Sequence, residues 1–138
     1  MRVFLDANVL VSVLNKEYPL FSYSSRIVSL ADNNNFEVFT SPLCLAIAFY
    51  FAEKKNKKTA REKISLLAKH LSVSPITESG VKKTVANSSI HDFEDGLEYY
   101  AALESKCKYI ITEDTGDFYF SDVEVLTCEG FFKKYLVK

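Results

Sequence analysis

The sequence predicts a single α/β domain in which helices cover both faces of a parallel sheet. Short apolar runs that are typical of strands alternate with longer segments that have helical periodicity. Strands that alternate with helices usually lie parallel, because each crossover helix returns the chain to the same edge. The 138 residues suit one hydrophobic core, and no linker, repeat or low-complexity segment interrupts them. We therefore expect one domain over residues 1–138, a three-layer α/β/α arrangement around a central, mostly parallel sheet of about five strands.

The elements follow from hydrophobic spacing and from end signals. Helix 42–55 has a start signal, because Ser41 can cap it and Pro42 suits the first helical turn. Asp92 and Asp95 resemble a capping pair before the helix that begins at residue 93. The predicted strands are residues 2–5, 36–40, a brief piece in 73–77, 109–112 and 123–127. The predicted helices are residues 7–15, 21–31, 42–55, 59–71, 77–86, 93–103 and 131–137.

Composition and charge restrict the class of protein. Hydrophobic residues make up 48% and charged residues 25%, which is typical of a packed globular chain. The formal net charge is −1, so any binding to nucleic acid must be local. Cys44, Cys107 and Cys128 are odd in number, far apart and set in apolar surroundings, which fits reduced core thiols. With apolar runs too short to span a bilayer, we expect a cytoplasmic protein with no membrane partner.

Acidic residues stand at three points that the fold can bring together. Asp6 ends the first strand, Asp92 and Asp95 open the helix that leads into strand 109–112, and Asp114 and Asp117 follow that strand. Ligands of open parallel sheets bind at the carboxyl ends of the strands, so these points are expected to meet. Clustered carboxylates repel one another unless some are protonated or a hard cation such as Mg²⁺ or Mn²⁺ neutralises them. Such a cation activates water and stabilises the charge on a phosphodiester under attack.

Each acid also has a simpler explanation when it is taken alone. Asp92 fits a helix cap, and Glu94, Glu98 and Glu104 fit a solvated helix face. Asp6 is harder to explain in this way, because an acid directly after a buried strand has few ways to be satisfied.

Two segments resemble the PIN domain: FLDANVLVSVL near the start of the chain and DFEDGLEYYAALESKCKYIITEDTGDF near its end. The PIN domain is a metal-dependent ribonuclease fold that includes toxins of bacterial toxin–antitoxin pairs, and the likeness spans nearly the whole chain. The resemblance implies an Mg²⁺- or Mn²⁺-dependent endoribonuclease, with Asn8 as the residue that supports the first acid. The implied catalytic residues are Asp6, Asp92, Asp95 and Asp117, and the candidate metal ligands are Asp6, Asp95, Asp114 and Asp117.

One ligand that the resemblance leads us to expect is absent. A PIN domain usually carries a glutamate about six residues after Ser41, and that position is Ile47. Either Asp92 or Asp114 compensates, or metal affinity and turnover are low. The alternative to an active nuclease is therefore a catalytically weakened or inactive PIN-like module that binds RNA or a protein partner.

RNA contact requires positive charge, and the segment KKNKKTAREK at residues 54–63 supplies it between two predicted helices. The same cluster also fits a solvated helix connection. The candidate RNA-binding residues are Lys54, Lys55, Lys57, Lys58 and Arg61.

Features that bear on protein partners are few. Phe49, Tyr50, Phe51 and Tyr99 fit the hydrophobic core better than a dimer face. The resemblance alone implies a homodimer and a protein antitoxin that would cover the acidic site.

Overall fold

The computed structural model describes residues 1–137, so Lys138, the last residue of the predicted domain, lies outside the described residues. Its strands are β1 (Arg2–Leu5), β2 (Glu37–Thr40), β3 (Ser72–Val73), β4 (Tyr109–Ile111) and β5 (Glu124–Leu126). They form one sheet in the order β3-β2-β1-β4-β5, and every neighbouring pair is parallel. The predicted five-stranded parallel sheet is confirmed.

Helices connect the strands as the hydrophobic spacing predicted. α1 packs against α3 and α3 against α4, while α5 packs against α6 and α2 against α7, in a three-layer arrangement. Short 3₁₀ turns occupy Leu30–Asp32 and Thr115–Phe118, and a π turn occupies Phe132–Leu136. The helices are α1 (Ala7–Leu14), α2 (Phe21–Ser29), α3 (Pro42–Lys55), α4 (Lys57–His70), α5 (Glu78–Ala86), α6 (Phe93–Glu104) and α7 (Cys128–Phe131).

Side-chain caps fix where several helices begin. Ser41 accepts a hydrogen bond from the Cys44 N–H at 3.1 Å, so the predicted start of α3 is confirmed. Asp92 accepts a hydrogen bond from the Asp95 N–H at 3.2 Å and caps the start of α6. Because a cap depends on residues that are close in sequence, the starts of α3 and α6 could be predicted from the sequence.

The sheet order places a ligand site beside β1. β2 and β3 lie on one side of β1, whereas β4 and β5 lie on the other, so strand order reverses between β1 and β4. Leu5 pairs with Ile111, and the Asp6 N–H donates to the Ile111 carbonyl at 3.0 Å. The chain therefore leaves the sheet just after Asp6, at the switch point where α/β folds bind ligands.

The hydrophobic core includes all three cysteines, but two of the aromatic side chains predicted to belong to it lie outside. Cys44, Cys107 and Cys128 are free and buried, as predicted. Tyr50 and Phe51 are exposed at 53% and 44%, so the expectation that they belong to the core is wrong. Over residues 1–137, no helix is both long and apolar enough to cross a membrane.

Gly96→Ala is expected to destabilise the protein, because α6 packs on α5 too closely at this point to admit a methyl group. A Cβ at Gly96 would overlap the Thr84 methyl and lie 2.9 Å from Ile90 Cγ2. We expect a loss of about 1–3 kcal/mol in the free energy of unfolding, measured by urea denaturation. Gly116→Ala is the control, since nothing lies within 4 Å of its added methyl group. Equal stability of the two variants would contradict this packing.

Candidate metal centre

Asp6 is a buried carboxylate held by three donors. Its Oδ1 accepts a hydrogen bond from the Ala7 N–H at 2.7 Å, which caps α1. Its Oδ2 accepts from the Thr112 hydroxyl at 2.7 Å and from Asn8 Nδ2 at 3.4 Å. Donors to both oxygens fix the direction of the Asp6 side chain at the carboxyl end of β1.

Asn8 ties α1 to the loop that follows β4. Its amide nitrogen donates to Thr112 Oγ1 at 3.0 Å and to Asp114 Oδ2 at 3.1 Å. Its amide oxygen accepts from the Glu113 N–H at 3.2 Å. Since Asp6 is the cap of α1, Asn8 supports the first acid and the following loop instead of capping the helix.

The start of α6 brings further acids to the same place. Asp92 caps the helix, and Glu94 and Asp95 occupy its first turn, where the helix dipole favours negative charge. Asp114 and Asp117 reach the site from the loop after β4, where the Asp117 N–H donates to the Asp114 carbonyl at 3.0 Å. The three acidic points of the sequence therefore meet.

These acids line one open cleft of about 410 Å³. Ile47, Val11 and Phe51 supply its apolar wall, and no lysine or arginine of the described residues is among the lining side chains. Seven carboxylates line the cleft: Asp6, Glu17, Asp92, Glu94, Asp95, Asp114 and Asp117.

Crowding of like charges changes the protonation of the cleft. Partial burial, followed by the charges of Asp92, Asp117 and Asp6, raises the pKa of Asp95 to about 7. Burial and the charge of Asp92 also raise the pKa of Glu94. Without a cation, therefore, part of the negative charge is removed by bound protons at neutral pH.

Glu98 is buried directly beside this cleft, so its expected place on a solvated face is wrong. Its side chain is 1% exposed, and its Oε1 accepts a hydrogen bond from the Cys44 thiol at 3.1 Å. Burial, followed by the charge of Asp6, raises the pKa of Glu98 to about 10. Potential ligand atoms of Asp6, Cys44 and Glu98 all lie within 4.8 Å of one another, and no other His, Cys, Asp or Glu trio in the described part of the chain is that close.

Comparison with known proteins identifies the family of this chain. The family model of the PIN domain matches residues 2–116. The chain belongs to the PIN domain family. Ribonuclease VapC1 of Aquifex aeolicus (strain VF5) is 30% identical over an alignment that covers 97% of this chain and 95% of that protein.

Solved structures share the fold of this PIN domain. VapBC2 from Rickettsia felis, solved with a DNA fragment from its promoter, matches with a TM-score of 0.67 and 20% identity over 91% of this chain and 97% of that chain. VapC20 of Mycobacterium tuberculosis, a sarcin–ricin loop cleaving toxin, matches with a TM-score of 0.66 and 15% identity over 88% and 98%. FitAcB from Neisseria gonorrhoeae matches with a TM-score of 0.63 and 16% identity over 92% and 98%. At these identities the likeness shows the fold.

In the basic segment of this PIN domain, some side chains bind the end of α1 and others are exposed to solvent. Lys55 Nζ donates to the Asn15 carbonyl, and Lys63 Nζ donates to the Leu14 carbonyl at 3.3 Å. Both lysines thus satisfy the carboxyl end of α1, where a positive charge is favourable. Lys54 Nζ lies 4.5 Å from the centre of the Tyr50 ring. Lys57, Lys58 and Arg61 are exposed on the first turns of α4.

Two residues of the site were missed by sequence reasoning. Thr112 is fully buried and donates a hydrogen bond to Asp6. The sequence feature that could have identified it is a hydroxyl at the end of an apolar strand that was predicted to lie in the same sheet as the strand before Asp6. The sequence feature that could have identified Glu98 is weaker. Glu98 follows Asp95 by three residues, and this spacing puts both acids on one side of α6.

The donor set fits a hard divalent cation. Mg²⁺ and Mn²⁺ prefer oxygen ligands, and the cleft offers carboxylate oxygens on three separate elements. Glu98 Oε2 is buried and has no hydrogen-bond partner among the described residues, and the raised pKa of Glu98 keeps a proton on this carboxyl group at neutral pH. Asp95 and Asp117 share the cleft with Asp6, although the oxygens of these three acids do not all lie within 4.8 Å of one another.

Glu98→Gln is expected to stabilise the metal-free protein, and increasingly so as the pH rises. Below about pH 4.5, Glu98 is protonated in both the folded and the unfolded chain. Above that pH only the unfolded chain releases the proton, so wild-type stability falls until the pH reaches the folded pKa of about 10. Urea denaturation with a chelator should show a variant more stable by up to about 3 kcal/mol at pH 7, and by much less at pH 5. An advantage independent of pH would contradict the buried acid.

Proposed function

We propose that this PIN domain is a metal-dependent endoribonuclease with a toxin role. The observation that carries the proposal is the convergence of seven carboxylates, with no positive side chain in the lining, at the carboxyl ends of β1 and β4. Such a cleft repels RNA phosphates unless cations occupy it, so RNA is expected to enter the cleft only when the metal is already bound. The relatives named ribonuclease VapC1 and VapC20, a cleaving toxin, support the reaction class.

Asp6, Asp95 and Asp117 are the residues that would hold Mg²⁺ or Mn²⁺. Such an ion, when bound, activates a water molecule and stabilises the charge that develops on the phosphodiester. Thr112 and Asn8 orient Asp6, and Asp95, whose pKa is raised to about 7, would hold the ion in its deprotonated form.

Asp92 and Asp114 are proposed as second-tier acids. Asp92 opens α6 and raises the pKa of Asp95 by its charge, whereas Asp114 is fixed by Asn8. Both line the cleft, so each would assist in holding the ion by hydrogen bonding or by direct ligation.

The RNA strand is proposed to pass from the cleft over the basic segment at residues 54–63. Phe51 lines the cleft and packs edge-to-face on Tyr50 with ring centres 5.4 Å apart, and Lys54 Nζ lies 4.5 Å from the centre of the Tyr50 ring. Exposed aromatic rings beside lysines suit the bases and phosphates of a single strand. Lys57 and Lys58 lie at the amino end of α4, where the helix dipole disfavours positive charge, so a role in binding phosphate would explain their position.

A weakened or inactive module that binds RNA or a protein remains the second candidate function. Ile47 lines the cleft as an apolar side chain, where the family resemblance leads us to expect an acid. RNA binding without metal-dependent cleavage by the wild-type protein would favour this module over the nuclease.

We also propose an antitoxin that covers the acidic cleft, and a homodimer. The antitoxin rests on the likeness to the VapBC2 and FitAcB structures, and the homodimer rests on the family resemblance alone. A cytoplasmic location agrees with the three free, buried thiols.

Asp95→Asn and Asp117→Asn are each expected to reduce RNA cleavage by at least about 100-fold, because each removes a charge that holds the metal. Cleavage of labelled single-stranded RNA and of total cellular RNA, with Mn²⁺ and with a chelator, measures the effect. Asp122→Asn, an exposed acid outside the cleft, is the matched control and should cleave as the wild type does. Unchanged cleavage by Asp95→Asn would refute the proposed site.

Lys57→Ala combined with Lys58→Ala is expected to weaken single-stranded RNA binding several-fold without lowering stability. Loss of two phosphate contacts should reduce the slope of log affinity against log salt by about 1.4. Fluorescence anisotropy over a salt series gives that slope. Lys82→Ala combined with Lys83→Ala removes a similar exposed pair from α5 and should leave it unchanged. If both double variants bind alike, the basic segment is a solvated connection.

A further inference from the structure

Glu98 combines nearly complete burial with an unsatisfied oxygen. Its side chain is 1% exposed, and the Cys44 thiol is the donor to its Oε1 at 3.1 Å. Its Oε2 is buried and has no hydrogen-bond partner among the described residues. Buried carboxyl groups normally have partners for both oxygens, so this side chain is not explained as a member of the core.

No positively charged side chain of the described residues neutralises this acid. None of the ion pairs recorded over residues 1–137 involves Glu98. The thiol of Cys44 is a weak donor, and Asp6 brings a second carboxylate close to Glu98. Two buried carboxyl groups that face each other need either a shared proton or a cation between them.

The geometry suits a cation. Potential ligand atoms of Asp6 and Glu98 lie within 4.8 Å of each other. Two oxygens bound to one Mg²⁺ at about 2.1 Å lie at most about 4.2 Å apart, so a small side-chain rotation is enough for both to bind. Glu98 also lies one helical turn after Asp95, on the same side of α6.

We propose that Glu98 is an additional ligand of the metal that Asp6 holds, reaching it from the buried side of the cleft. Cys44 is a positioning residue, since its thiol fixes one carboxylate oxygen and leaves the other for the metal. Hard cations prefer oxygen, so the sulfur itself does not bind Mg²⁺ or Mn²⁺. This inference rests on the proposed function, because it assumes that Asp6 belongs to a metal site.

Calorimetric titration with MnCl₂ tests the inference without any measurement of activity. Glu98→Gln keeps the size and the acceptor for Cys44 and removes the negative charge, so its Mn²⁺ affinity should fall at least tenfold. Glu104→Gln, an exposed acid on the same helix, is the matched control and should bind as the wild type does. Asp95→Asn is the positive control, because it shows how much Mn²⁺ affinity is lost when a proposed metal ligand is replaced.

Thermal unfolding with and without Mn²⁺ gives a second measurement. The metal should raise the wild-type midpoint by more than it raises the midpoint of Glu98→Gln. If Glu98 had only a structural role, its replacement would leave the Mn²⁺-induced increase in the midpoint unchanged. If Glu98→Gln fails to fold, Glu98→Met has a similar volume without polar atoms and makes the same test.

The outcomes separate this inference from the proposed function. Wild-type affinity in Glu98→Gln, together with lost binding in Asp95→Asn, would overturn the inference and leave the metal site standing. Such a result would mean that the charge of Glu98 takes no part in metal binding. Failure of the wild type to bind Mn²⁺ would overturn both.

Discussion

The position of the Asp6 carboxylate is the constraint on which the rest of the site depends. The β1 strand is buried on both faces, and the chain leaves the sheet beside β4, so the acid that follows has little access to water. Ala7, Thr112 and Asn8 satisfy its oxygens and thereby join α1 to the end of β4. Every other acid of the cleft then lies near a carboxylate whose orientation is fixed. A cation is the simplest way to relieve that repulsion.

Much of the fold was predictable because its signals are local. Hydrophobic spacing defined the helices, and caps such as Ser41 and Asp92 depend only on residues three positions away. The parallel sheet followed from alternation of strands and helices, and its switch point brought together acids that are more than 80 residues apart in the chain, such as Asp6 and Asp95. The meeting of the three acidic points therefore needed only topology, which the element order supplies.

Other features depend on tertiary contacts that no local pattern encodes. Glu98 stands between Leu97 and Tyr99 on a helix with other exposed acids, and only its contact with Cys44 of α3 reveals that it is buried. Lys55 belongs to a basic run, yet its ammonium group satisfies the end of α1. By residue type, Glu98 was assigned to solvent and Lys55 to RNA binding or a solvated connection, whereas the structure gives each of them a specific partner within the protein.

The metal-free site is under electrostatic strain, since burial and like charges raise the pKa values of Asp95 and Glu98 to about 7 and about 10. That strain is useful if binding of a cation relieves it. The most direct test of the account is diffraction at the manganese absorption edge from crystals grown with Mn²⁺. The account predicts an anomalous peak in the cleft, about 2.2 Å from carboxylate oxygens of Asp6, Asp95 and Asp117. A cleft without a peak at saturating Mn²⁺, its acids turned to solvent, would contradict it.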